Sequence, residues 1–407
     1  MATLNLETQK KIPPNFSLFN LGFRPFFLGA GLFSTISMIV WFLLIQGLFD
    51  LEIDNLAIIE WHSHEMIFGF TMAIAAGFLL TAVKNWTNIQ TPSGHALALM
   101  FSLWLGARIG WFLPGLLPEL TYPILLTTAA LDLAFNLYFA IAFARPILIS
   151  KQWNQIGLLS KVILLGLLNI VFYLGLFGQI EQGMLIGAYG GFFIILALIL
   201  TMARRVIPFF IEKGVAENVT LRNPKWIDRS SLLLFLLLAL SELFLGSTFI
   251  SGCIALLLFF VGNIRLINWH TPGIWQKSML WSLYLGMAFI QLGFLLFALA
   301  IIEPSLQTLA IHSLAVGGMG LITLGMMTRV SLGHTGRDVN QPPKNHSMLL
   351  LFIILAAVVR VLFPLVFPAD YALWLAFSQF LWVIAFTIFV WDFAPILIRK
   401  RIDGHFG

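Results

Sequence analysis

The chain has 407 residues, of which 59% are hydrophobic and 10% are charged, whereas soluble domains average roughly 45–50% and 25%. This composition excludes a soluble globular protein and indicates an integral membrane protein, because about 20 apolar residues form one spanning helix and the chain has enough for about twelve. The formal charge of +5 comes from residues scattered over short loops, which leaves no basic patch for nucleic acid, and the single cysteine, Cys253, excludes an internal disulfide or a cysteine-rich metal site.

Apolar runs bounded by proline, asparagine, glycine and charged residues predict one all-α membrane domain over residues 1–407. The predicted helices span 26–48, 60–83, 96–113, 121–144, 156–177, 183–208, 230–248, 250–268, 277–301, 305–332, 347–367 and 370–397. The seventh and eighth are separated only if the chain turns near Thr248 and Gly252. The polar start, residues 1–14, has no cleavage pattern, so we predict no removable signal peptide.

The charges of alternate loops predict the orientation of the helices. One set of loops contains no lysine or arginine but holds Asp50, Glu52, Asp54, Glu60, Glu119, Glu181, Glu303 and Asp370. The other set, with both termini, holds Lys10, Lys11, Lys84, Arg145, Lys151, Arg204, Arg205, Lys213, Arg222, Lys225, Arg229, Lys277, Arg337, Lys344, Arg399, Lys400 and Arg401. Because cytoplasmic loops are rich in lysine and arginine, this separation predicts twelve spans with both termini in the cytoplasm.

The histidines fall into two groups by predicted depth. Five lie on cytoplasmic loops or helix ends, where a solvated side chain is the simplest interpretation: His95, His270, His334, His346 and His405. The second and tenth helices begin on the outer side, and at 1.5 Å per residue His64 lies about 6 Å and His312 about 10 Å below the start of its helix. His62, His64 and His312 are therefore three imidazoles in the outer half of the bilayer.

Two interpretations of these three histidines stay open. Neutral imidazole is a common ligand of haem iron, copper and zinc, and ionisable groups inside a membrane are often functional. Alternatively, the side chains form hydrogen bonds between helices. His62 and His64 are about 200° apart around an ideal helix, so they cannot both face one metal unless the first turn is irregular.

Small residues on both helices are also open to two interpretations. The second helix carries Gly69, Ala73 and Gly77 on one face, and the tenth carries Gly317, Gly318 and Gly320. Such residues admit either a closely packed neighbouring helix or a flat macrocycle.

Two arginines lie at a similar depth. Arg108 on the third helix and Arg360 on the eleventh fall in the outer half, with Glu65 nearby and Asp132 and Glu242 nearer the middle. They either form structural ion pairs shielded from lipid or pair with anionic groups such as haem propionates, since the outer loops offer no other cation.

Several long motifs resemble those of the NnrS family. They are FNLGFRPFF (19–27), WHSHEMIFGF (61–70) with GFLLTAVKNWT (77–87), RRVIPFF (204–210) and HSLAVGGMGLITLGMMTRVSLGHTGR (312–337). The resemblance extends over nearly the whole chain, with the motifs in the same order. One departure is Lys84, where the family more usually has proline before Asn-Trp-Thr.

The resemblance implies a bacterial cytoplasmic-membrane protein that contains haem and, in at least some members, copper, and that is associated with nitric oxide and denitrification. The histidine-bearing motifs of the family map onto His62, His64, His312 and His334. The resemblance does not define a reaction, so an enzymatic activity is left open.

The arrangement is also similar to the catalytic subunit of haem-copper oxidases and nitric oxide reductases, in which outer-half histidines on helices two and ten of twelve bind a low-spin haem. Those enzymes add a histidine and an active-site residue on helix six and a histidine pair on helix seven. Helices six and seven of this chain contain no histidine. We therefore expect no binuclear centre of that design.

Two functions are compatible with these observations. The preferred one is a membrane haem protein in which His312 and one of His62 or His64 are the axial ligands, with Arg108 or Arg360 near the haem. The alternative is a twelve-helix small-molecule transporter without a cofactor. The long cytoplasmic segment 203–229 favours a transporter, whereas the loop KNWTNIQTPSGH (84–95) lacks the glycine, acidic and basic pattern that such transporters carry between helices two and three.

The segment after the tenth helix predicts a separate site. His334 lies 22 residues beyond His312, about 33 Å along a helix. Gly333 and Gly336 suit a turn with exposed backbone N–H groups, and Arg337 adds positive charge, which predicts an anion or partner contact. Alternatively, these residues cap the helix and contact phospholipid head groups.

Overall fold

The computed structural model describes residues 16–51 and 53–407. Lys10, Lys11, Glu52 and the start of the chain, for which no signal peptide is expected, lie outside the described residues. The described part is built of helices with no strand among its named elements. The long helices are α1 (Phe23–Ile45), α2 (Ile58–Thr87), α3 (His95–Gly110), α4 (Thr121–Ile149), α5 (Ile156–Leu176), α6 (Gly183–Gly214), α7 (Lys225–Phe244), α8 (Phe249–Trp269), α9 (Ser278–Leu299), α10 (Leu306–Gly333), α11 (His346–Val366) and α12 (Tyr371–Ile398).

Ten of these helices, within the described residues, are long and apolar enough to cross a membrane. The other two are α3, which has 16 residues, and α7. The chain is thus an all-helical protein with the architecture of a multi-pass membrane protein, as the composition predicts. The number of twelve spans and the cytoplasmic location of both termini stay predictions.

Two helices run past a proline at which the sequence pattern placed their ends. Helix α4 continues through Pro146, and α6 continues through Pro208. Proline removes one backbone N–H donor and disturbs the preceding turn, but both prolines lie near the C-terminal end of a long helix. The connection predicted over 203–229 is consequently much shorter, because α7 already begins at Lys225.

The short turn between α7 and α8 is stabilised by a reciprocal cap. The backbone N–H of Ser251 donates to Oγ1 of Thr248 at 3.2 Å, and the N–H of Thr248 donates to Oγ of Ser251 at 2.9 Å. Such a capping box satisfies backbone donors at the start of a helix. Gly246 adopts φ +71° in the same turn, a conformation that glycine reaches without steric cost.

The two helices that carry the outer-half histidines are the most buried of the ten. In the most hydrophobic stretch of α2, 83% of the residues are buried, and in that of α10, 78%, whereas the value is 39% for α4, α5 and α8. The faces left exposed on the latter helices are rich in leucine and isoleucine, as expected for contact with lipid. Helices α2 and α10 contact each other inside the bundle, so their side chains meet in its interior.

Both histidine-bearing helices contain a π-helical segment. It covers Glu65–Thr71 in α2 and Ser313–Gly320 in α10, so each segment begins directly after a histidine, His64 or His312. A π-helical turn holds more residues than an α-helical turn and often marks a functional site. The segments change the rotation of the outer part of each helix relative to its inner part.

Candidate functional site

The structure separates the outer-half histidines into two clusters. His62 and His312 interact electrostatically with each other and with Arg360. His64 lies in a different cluster with Glu65 and Arg108. The angular separation of His62 and His64 around α2 accounts for this division.

His312 is held in one tautomer by its own helix. Its Nδ1–H donates to the carbonyl oxygen of Thr308 at 2.7 Å, which leaves Nε2 as the nitrogen with a free lone pair. A backbone carbonyl that fixes Nδ1 in this way is the usual arrangement behind a histidine that binds a metal through Nε2. The neighbour of Nε2 is the Nη2 of Arg360, at 3.4 Å.

His62 has no hydrogen-bond partner in the described part of the chain. Its ring stacks on the indole of Trp41 from α1, with centroids 4.2 Å apart and an interplanar angle of 9°, and its buried Nδ1 is unsatisfied. A buried nitrogen without a partner costs free energy in an apolar environment. The ring is therefore oriented by stacking and keeps its nitrogens available.

Arg360 contributes hydrogen-bond donors without a partner to the cluster of His62 and His312. Its side chain is 5% exposed, its guanidinium lies 5.2 Å from the centre of the Tyr371 ring, and its Nε and Nη1 have no partner among the described residues. Uncompensated burial of a charged guanidinium is costly. This arginine consequently offers hydrogen bonds to an anionic group beside the two histidines.

His64 is, in contrast, bonded at both ring nitrogens. Nδ1 lies 2.8 Å from a carboxylate oxygen of Glu65, and Nε2 lies 2.9 Å from Oδ1 of Asn169. The orientation of the Asn169 amide follows from its Nδ2, which donates to Asp132 at 3.0 Å. Both ring nitrogens therefore face acceptors, and the ring can donate to both only as an imidazolium. Neither nitrogen is free to bind a metal in this arrangement.

Arg108 joins the two carboxylates of the His64 cluster. Its Nη1 lies 2.6 Å from Glu65 and its Nη2 lies 2.6 Å from Asp132, and Tyr173 donates to Asp132 at 3.1 Å. All of these side chains are buried. Arg108 thus pairs with both carboxylates, which is how buried charges are tolerated inside a membrane.

The small residues of α2 and α10 are occupied by neighbouring side chains. A methyl group added at Gly69 would lie 2.7 Å from Nη1 of Arg108, and one at Gly77 would lie 3.0 Å from the ring of Phe27. On α10, added methyl groups would approach Phe289 at Gly317 and Trp382 at Gly320, to 2.3 and 2.8 Å. Close packing of side chains and helices thus accounts for these residues, and they do not form a slot for a macrocycle.

An apolar cavity of about 60 Å³ lies inward of the histidines. It is bounded by α1, α2, α6, α9 and α10, and its polar wall residues are Thr71 and Thr323. Neither His62 nor His312 lines it. Sites for drug-sized ligands occupy roughly 300–1,000 Å³. This cavity is much smaller, so its size suits only a small apolar molecule.

In the residues that the structure describes, no group of three or more histidine, cysteine, aspartate or glutamate side chains is arranged to hold a metal ion. A site built on the outer histidines therefore has two protein ligands at most from these residue types. Two imidazoles suffice for haem iron, whereas structural zinc sites use four ligands.

Sequence reasoning missed several residues that define the two clusters. Asn169 could have been noticed, because it is an isolated amide in the apolar run of α5 and such groups form hydrogen bonds between helices. The stacking of Trp41 on His62 and the position of Tyr371 beside Arg360 have no sequence signal, because tryptophan and tyrosine are common at the ends of membrane helices.

The fold and these clusters define an all-helical, multi-pass membrane protein with two histidines and a buried arginine at one end of its two central helices. Residues 17–401 match the family described as NnrS protein, and the chain belongs to that family. No curated protein matches the chain.

Proposed function

We propose that this protein is a membrane haem protein of the NnrS type that acts in the nitric oxide response or denitrification of a bacterium, in its cytoplasmic membrane. The haem binds in the outer half of the bilayer between the outer ends of α2 and α10, beyond the closely packed glycines of both helices. The observation that carries the proposal is that Nδ1–H of His312 is held by its own helix while Nε2 faces Arg360, and that His62, which is influenced by the same arginine, has a buried Nδ1 without a partner among the described residues.

His62 and His312 are the side chains that would hold the haem iron. Of His62 and His64, His64 is the less suitable ligand, because both of its ring nitrogens already have partners. When bound, haem supplies an iron centre that can exchange an electron or bind a diatomic gas. The chain's own residues orient the imidazoles through Thr308 and Trp41, and both rings are half-buried.

Arg360 is the proposed partner of the haem propionates. Its buried Nε and Nη1 have no other acceptor among the described residues, and a guanidinium forms strong paired hydrogen bonds with a carboxylate. Arg108 is not assigned to this task, because Glu65 and Asp132 already bind it.

Copper is a secondary part of the proposal. The same two imidazoles are of a type that binds copper, so copper and haem would compete for them unless a further ligand is recruited. Loading the purified protein with each in turn, and measuring metal content, tests which is retained.

The visible absorption spectrum tests the proposal directly. The protein is purified from cells supplied with haem, and the Soret and α bands are recorded oxidised and reduced. We expect a six-coordinate bis-histidine spectrum. His62→Ala and His312→Ala should each lose the bound haem or change its coordination, whereas His95→Ala, at the exposed start of α3, is the matched control and should behave as the unmodified protein.

Three results would overturn the proposal. Absence of haem from well-folded protein would favour the transporter alternative. An unchanged spectrum in the His312→Ala variant would exclude that ligand. A folded His64→Gln variant that loses haem, alongside a His62→Ala variant that keeps it, would move the second ligand to His64.

The link to nitric oxide has its own test. Addition of nitric oxide to the reduced protein should shift the Soret band if the gas reaches the iron, and a strain lacking the protein should grow more slowly than its parent under a nitric oxide donor. Equal growth of the two strains would remove the proposed biological role while leaving haem binding intact.

A further inference from the structure

Arg24 is a buried arginine at the inner end of α1 with unused donors. Its side chain is 0% exposed. Its Nη1 caps the end of α12 by donating to the carbonyl oxygens of Leu397 at 2.7 Å and Arg399 at 2.8 Å. Its Nε and Nη2 have no partner among the described residues. Nε and Nη2 form one edge of the planar guanidinium, the edge that binds two oxygens of one anion side by side.

Other cations lie at the same end of the bundle. Arg401 donates from Nη1 to the carbonyl oxygen of His334 at 3.1 Å, and Nζ of Lys84 lies 5.3 Å from the centre of the Phe406 ring. The charges of Arg337 and Arg401 act on Arg24, that of Arg399 acts on Arg337, and that of Arg401 acts on Lys84. We call these five side chains, with the ring of His334, the inner cationic cluster. Its members come from α1, α2, the turn after α10 and the segment after α12, which are far apart in the sequence.

The cluster has few internal counter-charges. Of its cations, only Arg401 forms an ion pair within the described residues, with Asp403, whose two oxygens lie 2.9 and 2.5 Å from Nε and Nη2. Hydrogen bonding to Arg401 holds the pKa of Asp403 well below its usual range. The remaining positive charges repel one another, and such an arrangement is favourable only with an added anion.

His334 lies at the centre of this arrangement. Its ring lies 5.7 Å from that of Phe23, over which the Arg24 guanidinium also lies at 5.4 Å. Burial, with the nearby Arg401 and Lys84, lowers the pKa of His334 to about 4. The ring is therefore neutral at physiological pH and can donate one hydrogen bond.

The backbone of the turn after α10 does not supply the anion contacts that the sequence predicts. The N–H groups of His334, Thr335 and Gly336 donate to carbonyl oxygens of the last turn of α10, and the N–H of Arg337 donates to Leu332 at 3.0 Å. With Gly336 at φ +76°, this is a glycine C-cap of the Schellman type. The glycines thus cap the helix, and any anion must be held by side chains.

We infer that the inner cationic cluster binds a phosphate-type oxyanion, held by the free edge of Arg24 and by Lys84, with Arg337 and His334 beside it. A phosphate group has enough oxygens to accept from several directions and a charge that offsets more than one cation. The group belongs either to an anionic lipid head group or to a free phosphate compound, since both present the same chemistry at the inner surface. Scattered surface arginines and lysines would serve for nonspecific contact with lipid, but they would not require a fully buried arginine with a vacant edge.

The test measures binding of both forms of phosphate to the full-length protein. In the first arm, protein stripped of lipid in a neutral detergent is titrated with inorganic phosphate, and the thermal unfolding midpoint is followed. In the second arm, protein extracted from membranes is examined by native mass spectrometry for retained phosphatidylglycerol, against phosphatidylcholine as the neutral comparison. A rise in the midpoint identifies a free phosphate, and retention of the anionic lipid alone identifies the head group.

Lys84→Gln and Arg24→Lys are the informative variants. The lysine at position 24 keeps the charge but loses the paired edge. Because a hydrogen bond to a charged group contributes enough for about a tenfold to hundredfold change in affinity, each variant should weaken binding by that factor. Arg145→Gln, which removes an exposed arginine near the inner end of α4, is the matched control and should bind as the unmodified protein.

Lys84→Gln keeps the inference testable if Arg24→Lys fails to fold. This substitution leaves the cap that Arg24 forms on the end of α12 unchanged, so we expect the variant to remain folded. Binding that is equal in the unmodified protein and Lys84→Gln would overturn the inference, and so would equal losses in Lys84→Gln and Arg145→Gln, which would indicate diffuse surface charge. The haem spectrum should not change in any of these variants, because the cluster lies at the opposite end of α10 from His312.

Discussion

Two buried arginines at similar depth have opposite surroundings. Arg108 is paired with two carboxylates, whereas Arg360 faces an imidazole nitrogen and keeps two of its nitrogens without a partner. Their sequence contexts did not distinguish them, because the depth of a residue is readable from its position in a helix but the partner on another helix is not. This difference in partners leads to opposite expectations when each arginine is replaced by leucine.

Arg108→Leu should destabilise the protein strongly. Removing one partner of a buried ion pair leaves the other charges uncompensated and costs about 3–5 kcal/mol, and here both Glu65 and Asp132 would be left. We expect a markedly lower thermal unfolding midpoint in detergent and poor expression. A matched Arg145→Leu variant should unfold as the unmodified protein, and adding Glu65→Leu to Arg108→Leu should recover part of the loss. Unchanged stability of Arg108→Leu would contradict the assigned ion pairs.

Arg360→Leu should leave the fold intact and weaken haem binding. A leucine would remove only the contacts of Arg360 with His312 and with the Tyr371 ring, and relief of the buried unpaired donors offsets that loss. Loss of a group that orients a bound cofactor typically costs about 10–100-fold in affinity. Haem transfer to an acceptor protein measures this change, with Arg360→Lys as an intermediate control. Full retention of haem by Arg360→Leu would remove the proposed propionate contact.

The candidate site was partly predictable from sequence at the residue scale. Histidines within apolar runs are rare enough to be noticed, and counting residues along the helices predicts that His312 lies at a depth similar to that of the start of α2. The sequence could not predict which of His62 and His64 is the better candidate ligand, because this depends on Asn169 of α5 and Trp41 of α1. Contacts between distant helices of this kind leave no periodic signal in one sequence.

At the scale of single elements, the π-helical segments of α2 and α10 influence the rotation of the outer turns that carry His62 and His312. Each segment accommodates extra chain within an otherwise α-helical span, so it rotates the outer turns relative to the inner ones. Their glycines fit closely against side chains of other helices, such as Phe289 at Gly317. Hydrophobic periodicity cannot reveal such a segment in a helix that is buried on nearly all sides.

Deletion of Ala315 should convert the π-helical segment of α10 to a regular α-helix. Because one residue corresponds to about 100° of rotation, His312 would turn away from His62. We expect an unchanged helix content by circular dichroism and loss of the six-coordinate haem spectrum. Deletion of Ile302, an exposed residue in the loop before α10, preserves the internal register of that helix and should keep the spectrum. A normal spectrum after deletion of Ala315 would show that the segment does not position the ligand.

For the whole molecule, the positions of the helices were predictable because each is an apolar run between polar or helix-breaking residues. The predicted C-terminal ends of some helices were less accurate. In α6, Pro208 and Ile211 are buried in the bundle, and the helix extends past the proline. The central place of α2 and α10 was not evident from hydropathy, because lipid-facing and protein-facing surfaces are both apolar. In this chain the centre is marked by glycines and by isolated polar residues.

The orientation of the whole bundle follows from charge and from how the chain closes. Ser17 donates its backbone N–H to Ile398 at 2.8 Å, and Phe16 pairs with Arg399, so the two ends of the described chain lie on the same side. The loops at the other side lack lysine and arginine, which predicts that the shared side is cytoplasmic. Green fluorescent protein fused after Gly407 should therefore fluoresce, and alkaline phosphatase fused there should be inactive, whereas alkaline phosphatase fused after Glu181 should be active. The reverse pattern would place the histidine pair at the cytoplasmic end of α2 and α10 and the inner cationic cluster outside the cell, against the charge bias on which the orientation rests.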